Sequence, residues 1–254
     1  MSGVFVRKII VANWKMHKTF AEAEGYMKIL LRGLQPCLEC RVLIAPSFPL
    51  LSSMVQWAKG SSIEIGAQNI HDQESGAFTG EVSAKLVKET GSSFVLVGHS
   101  ERRQLFGEEG SFISRKLKRA LATSLQPILC IGETLEERDL GKTKEVLQEQ
   151  LFQALQGFSE EEILQIGIAY EPVWAIGTGK QATPEIAQEA HSFCRSQLAS
   201  KWGEMVACRI PILYGGSVKS DNMTALMRQK DIDGVLVGGA SLDPESFLQI
   251  IQYK

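Results

Sequence analysis

The sequence predicts an α/β protein, and within that class a single (β/α)8 barrel over residues 1–254, eight parallel strands ringed by helices. Three observations carry this: eight short apolar runs without alternation, helical patterns between them, and no Gly/Ser-rich or Pro-rich linker along the chain. An unalternating apolar run is what a strand covered on both faces requires, because neither face meets water. A doubly wound open sheet is the other architecture this alternation allows.

The apolar runs fall at 9–12, 42–45, 63–67, 94–98, 127–131, 166–170, 210–214 and 234–238. After the first, Thr19 and Glu22 form a capping box, and Phe20, Ala23, Met27, Leu30, Leu31 and Leu34 then recur along one helical face. Behind the third run stretches QNIHDQESGAFTGE (68–81), long and polar in a fold whose connections usually take about 2 to 6 residues. After the fifth, Thr134 and Glu137 repeat the capping box ahead of Val146, Leu147, Leu151 and Leu155. Thr183-Pro184-Glu185 and Asp243-Pro244-Glu245 each supply an N-cap, a proline pre-set for the first helical position and an acid in the first turn. Helix starts are thus marked; helix ends are not.

Composition excludes several classes of function. With 27 basic and 29 acidic residues the net charge is -2, and the basic residues are scattered, which suits neither a nucleic-acid groove nor a polybasic membrane patch. No apolar run approaches the roughly 20 residues of a spanning helix, and the N-terminus lacks the pattern of a signal peptide, so a cytoplasmic protein is expected. The five cysteines, Cys37, Cys40, Cys130, Cys194 and Cys208, are an odd number in a chain long enough to hold itself together by its core, which fits reduced thiols. PCLEC (36–40) has the spacing of half a metal site without a second half, so no metal is expected and its two thiols read as semi-exposed, near a helix end.

In a barrel of this kind, functional groups stand at the C-terminal ends of the strands. Three unusual residues fall there: Lys15 after the first run, His99 after the fourth and Glu171 after the sixth. A lysine at a strand end is most often a solvated rim charge, and a lone histidine is most often structural. Together the three read as a cation for an anionic substrate, a hydrogen-bonding electrophile and a base. That trio suits proton abstraction next to a carbonyl, where the barrier is dominated by charge developing on oxygen. YGGSVK (214–219) and VGGASL (237–242), after the last two runs, each pair glycines with a serine. Backbone N–H groups in such turns approach an anion closely, and these are the positions where barrels of this class hold phosphate.

Asn13-Trp14-Lys15, GAFTGEVS (76–83), GHSERR (98–103), CIGETLEER (130–138), AYEPVWAIGTGK (169–180), ILYGGSVK (212–219) and LVGGASL (236–242) together resemble the triosephosphate isomerase family, in its order and spacing from the first strand to the last helix. The resemblance implies a TIM barrel that interconverts dihydroxyacetone phosphate and D-glyceraldehyde 3-phosphate, in glycolysis and gluconeogenesis, through an enediol(ate) and without a cofactor. It implies that Glu171 is the base, His99 the electrophile and Lys15 the group that stabilises the anion. Asn13 then contacts substrate oxygens, and Glu101 supports Lys15. Phosphate is held around Gly177, Ser217, Gly238 and Gly239. The apolar loop beside Glu171 becomes a lid, with hinges at Pro172, Val173 and Trp174 and at Gly179 and Lys180, and a tip of Ala175, Ile176, Gly177 and Thr178. A homodimer is implied too, with 68–81 projecting to the partner and Thr79 near its catalytic groups. Glu109-Gly110, where the family commonly has Thr or Ser followed by Asp, and Leu86 in place of a frequent methionine are the departures. Another phosphate-binding barrel enzyme, or a non-catalytic barrel used as a binding protein, are the alternative readings.

Overall fold

The computed structural model describes residues 8–35, 40–175 and 182–253. Its eight strands are β1 (Lys8–Asn13), β2 (Cys40–Ala45), β3 (Ile63–Ala67), β4 (Phe94–Val97), β5 (Gln126–Ile131), β6 (Gly167–Tyr170), β7 (Ile212–Tyr214) and β8 (Gly234–Val237). Each pairs in parallel with the next, and β8 returns to β1 with Ile9 opposite Gly234, so the sheet is a closed barrel. The expected runs coincide with these strands to within one or two residues at their ends.

Closure sorts each strand's apolar residues into two sets. Ile9, Val11, Leu43, Phe94, Leu96, Ile128, Cys130, Ala169, Leu213 and Leu236 form a cluster with no helical member, the packed barrel interior. Their alternates, among them Ile10, Ala12, Val42, Ile44, Val95 and Val97, join the larger core beneath the helices. Both faces are apolar, which is why the sequence shows no period of two.

The helices are α1 (Phe20–Gly33), α2 (Leu51–Ala58), α3 (Ala84–Glu89), α4 (Ser100–Phe106), α5 (Gly110–Ala122), α6 (Leu135–Asp139), α7 (Thr143–Ala154), α8 (Glu160–Ile163), α9 (Pro184–Trp202), α10 (Glu204–Ala207), α11 (Ser220–Met227) and α12 (Pro244–Ile251). The capping box at Thr19 is formed, as are the Thr183 and Asp243 caps. The Thr134 box is formed as well, but it opens the short α6 and not the helix bearing Leu147 and Leu151. The reason is Gly141, whose left-handed φ of 71° breaks the chain between α6 and α7. Ser159 and Glu162 make a further capping box that the apolar pattern did not single out. Glu109 precedes α5 without a side-chain cap, a consequence of the departure at that position. Cys40 begins β2 and is 4% exposed, which corrects the expectation of two semi-exposed thiols; Cys37 lies outside the described residues.

Two ionic groups, the first half-buried and the second buried, fasten helices to loops. Arg195 of α9 donates from Nε to Asp231 Oδ1 at 2.9 Å, from Nη2 to Asp233 Oδ2 at 2.6 Å and from Nη1 to the Ala207 carbonyl at 2.7 Å. Lys116 of α5, 1% exposed, donates to Glu108 Oε1 at 2.6 Å and to Asn69 Oδ1 at 2.8 Å, while Arg102 of α4 also donates to Glu108 Oε1. Burial holds Lys116's proton affinity below the ordinary value, with the Glu108 carboxylate opposing that shift. Among the described residues, no helix is long and apolar enough to cross a membrane.

Candidate active site

Because every strand is parallel, the eight C-terminal ends share one rim. Asn13 ends β1, and Lys15 follows in the left-handed region with φ 51°, a conformation disfavoured for a residue with a Cβ. Two contacts hold it there. The Lys15 N–H donates to Asn13 Oδ1 at 3.0 Å, and Gln68 Nε2 donates at 2.8 Å to the Lys15 carbonyl. The turn throws the Lys15 ammonium toward Glu101, whose Oε1 accepts at 2.6 Å.

After β4, His99 caps α4: its Nδ1 accepts from the Glu101 N–H at 3.2 Å. That bond uses the Nδ1 lone pair, so the neutral ring carries its proton on Nε2, which stands 3.0 Å from Glu171 Oε1. Glu171 Oε2 accepts from the Ser100 N–H at 3.0 Å. Both side chains are buried, His99 to 5% and Glu171 to 2% exposure.

Burial raises Glu171's proton affinity, but His99, the Ser100 N–H and Lys15 together hold the carboxyl below its ordinary range. Burial lowers that of His99, and the facing Glu171 carboxylate more than offsets it, so the ring sits above its ordinary range. The Glu101 carboxylate, 3.5 Å from Nδ1, adds to that rise and the Lys15 ammonium opposes it.

The backbone of Glu171 is clamped from both sides. Its N–H donates to the Ile131 carbonyl at 2.7 Å, and a Cβ at Gly132 would stand 1.7 Å from the Glu171 carbonyl oxygen, so only glycine fits. On the other side a Cβ at Gly215 would meet Glu171 Cγ at 2.9 Å. Gly132→Ala is therefore expected to push the carboxylate out of register and lower kcat by about 100-fold, since a shift of about 1 Å costs that much. Steady-state turnover of the purified variant checks this, and a kcat within about twofold of wild type would contradict the clamp.

A cavity of about 390 Å³ joins these groups to the glycine turns. Asn13, Lys15, His99, Glu171, Ser217, Gly238 and Gly239 all line it. Glu101 stands behind Lys15 and does not line it, and neither does exposed Thr79. Of the expected lid, Pro172 and the turn Val173–Ala175 are described; residues 176–180, with Gly177, lie outside the described residues. Trp174 turns inward, 9% exposed, and its Nε1 donates at 2.9 Å to Glu133 Oε1, which also accepts from the Tyr170 hydroxyl at 3.1 Å. Glu133 is wholly buried and was missed by the sequence reading, although it stands two residues past β5 as Lys15 does past β1. Gly215 and Gly216, the paired glycines of the turn after β7, line it too, and so do His17 and Lys219, which had not been singled out for it. Among the described residues, no group of three or more His, Cys, Asp or Glu is gathered as a metal would need.

Comparison with known proteins agrees along nearly the whole chain. The family model described as triosephosphate isomerase matches residues 8–254. The chain is 49% identical over 248 residues to the triosephosphate isomerase of Syntrophotalea carbinolica, an alignment covering 98% of each. It is 47% identical over 246 residues to that of Carboxydothermus hydrogenoformans, covering 97% of this chain and 98% of the relative. With that of Chlamydia muridarum it shares 48% identity over 251 residues, covering 96% and 90%.

Proposed function

The chain belongs to the triosephosphate isomerase family, and from that premise we propose that it interconverts dihydroxyacetone phosphate and D-glyceraldehyde 3-phosphate through an enediol(ate), with its own residues in the following roles. Glu171 takes the proton from one carbon and returns it to the other. Neutral His99, its proton on Nε2, donates to the oxygen that gains charge, and Lys15 and Asn13 meet the same developing anion. Triosephosphate isomerase is itself the standard example of a glutamate base working beside a neutral histidine, and these roles follow that example. Glu101 receives the Lys15 ammonium in the free site and aims it. The phosphate sits on the N–H groups around Ser217, Gly238 and Gly239, joined by Gly177 when the lid covers the site. What supports the reading most is a single cavity lined by Lys15, His99 and Glu171 together with both glycine turns. In the free site both Glu171 oxygens are engaged, by His99 and Ser100, so catalysis requires one to be released toward the substrate. A coupled assay for isomerisation of glyceraldehyde 3-phosphate tests the proposal, and a purified, folded protein without that activity would overturn it.

The lid reading rests on Ala175, an apolar residue lining the cavity, and on Trp174 beside it in the same turn. Replacing 175–178 with Gly-Gly is expected to keep the fold, lower turnover and release more inorganic phosphate with methylglyoxal, because an unshielded enediolate expels its phosphate. Unchanged partitioning between isomerisation and phosphate loss would count against the lid.

Homodimerisation is part of the same proposal. Residues 73–81 are exposed, and Met16, Phe78, Leu105 and Phe106 are large apolar side chains left 94%, 44%, 75% and 66% exposed. Such side chains are costly to leave in water, and a second copy of the chain would cover them. Deleting 76–80, or replacing Thr79, is expected to weaken association and lower activity together. Sedimentation that finds an intact dimer with normal turnover would sink the assignment of this loop.

A further inference from the structure

The turn Gly239–Leu242 offers its glycine end to the cavity, and its far end is fastened to the segment that carries Lys15. Lys18 Nζ donates to the Leu242 carbonyl at 2.8 Å. The Tyr26 hydroxyl, from α1, donates to the Ser241 carbonyl at 2.9 Å. Within the turn, Ser241 Oγ donates to the Gly238 carbonyl at 2.7 Å, so a pull on Ser241 is felt at Gly238. Lys18 takes a left-handed φ of 73°, disfavoured for a residue with a Cβ. Its ammonium lies over the Tyr26 ring at 4.7 Å and the Trp14 ring at 5.2 Å, and those rings meet edge to face at 4.8 Å. Neither Lys18 nor Tyr26 lines the cavity.

A lysine with no role beyond solubility would extend into water from an ordinary backbone. This one is folded back over two aromatic faces onto the carbonyl end of the turn, where a cation also complements the turn's dipole. At the other end of the same loop, Lys15 Cε passes 3.7 Å from where a Cβ at Gly238 would be. The segment after β1 therefore holds the far end of the turn after β8 by hydrogen bonds, and the Lys15 stem runs past its glycine end. We propose that Lys18 and Tyr26 are positioning residues for the anion subsite: they fix the Gly238–Leu242 backbone so that its N–H groups converge on the substrate's phosphate, and they couple that turn to Lys15. The inference rests on the phosphate placement given under Proposed function.

The test uses Lys18→Met, Lys18→Arg and Tyr26→Phe in the full chain. Inorganic phosphate binding is read from the rise of melting temperature with phosphate concentration, a readout independent of catalysis. Lys18→Met is expected to weaken phosphate binding and raise KM for glyceraldehyde 3-phosphate by about five- to tenfold, with kcat within about twofold, because one charge-assisted anchor is lost. Lys18→Arg should restore most of the affinity, and Tyr26→Phe should cost about threefold, the weight of a neutral hydrogen bond. A merely structural role would lower melting temperature without separating KM from kcat. Unchanged phosphate affinity in Lys18→Met would overturn the proposal. So would a Lys18→Met loss that disappears at high salt while Tyr26→Phe behaves as wild type, since that is a distant charge and not an anchor. If Lys18→Met does not fold, Tyr26→Phe decides, and wild-type affinity there overturns the proposal. Wild-type protein that binds phosphate yet isomerises no triose phosphate would instead overturn the isomerase reading, leaving the binding measurements to judge the anchor.

Discussion

Glu171→Gln is expected to lower kcat by about 1,000-fold, the scale set by losing a general base, while KM changes little and the fold survives. Gln keeps the shape and one acceptor oxygen. It cannot satisfy both donors that face it, the His99 Nε2–H at 3.0 Å and the Ser100 N–H at 3.0 Å, so one meets an amide NH2 instead. Against that loss stands the relief of no longer burying a charge, and the melting temperature should move by only a few degrees. Glu171→Asp keeps the charge but draws the carboxylate back, and should retain more activity than Gln. Wild-type turnover in Glu171→Gln would show that another group removes the proton. A pH arm separates charge from shape. The folded carboxyl titrates below its ordinary value of 4.5, so ionised Glu171 stabilises the protein above that pH, and its contribution is lost as pH falls through the folded value. Unfolding curves for wild type and Glu171→Gln should therefore converge at acid pH relative to neutral.

The second large effect concerns stability alone. Lys116→Met is expected to destabilise the barrel by about 3 kcal/mol, within the range for breaking a buried pair, and to lower the melting temperature by about 6–12 °C for a chain of this size. The methionine fills the lysine's volume, so the cost is electrostatic. Glu108, whose side chain is 2% exposed, would keep only Arg102, which lies nearer the surface at 25%. Glu108 Oε2 already has no hydrogen-bond partner, so nothing stands ready to replace the ammonium. Removing the carboxylate too, in Lys116→Met with Glu108→Leu, should recover part of the loss, since the uncompensated charge goes with it. Urea unfolding of both variants completes the cycle; a double variant less stable than Lys116→Met would show that the pair contributes by more than neutralising each other.

Most of the barrel was legible because its strands are covered on both faces. Runs such as 42–45 and 94–97 have no polar member, as a strand buried on both faces requires. Helix starts were legible because capping is local chemistry: Thr19 and Glu22 find each other three residues apart, whatever lies across the fold. The break at Gly141 was not, since an isolated glycine inside a helical pattern is tolerated and does not by itself end the helix. Lys15, His99 and Glu171 stood out as polar residues ending apolar strands. Gln68, Glu133 and Gly132 did not, because each matters only through what the closed barrel brings against it: Lys15's carbonyl, the Trp174 indole and the Glu171 backbone. Lys18 illustrates the same limit. Its partner, Leu242, lies 224 residues away.

The plug of side chains inside the barrel has one more effect. Leu236, which lines the cavity at 3% exposure, packs with Cys130 at 0% and the other inward-facing strand residues into one apolar cluster. On the proposed mechanism, a hydrogen taken up by the Glu171 carboxylate above that cluster trades with bulk solvent through the mouth of the cavity. How much solvent isotope enters the product then measures how fast that exchange runs against the return of the proton to carbon.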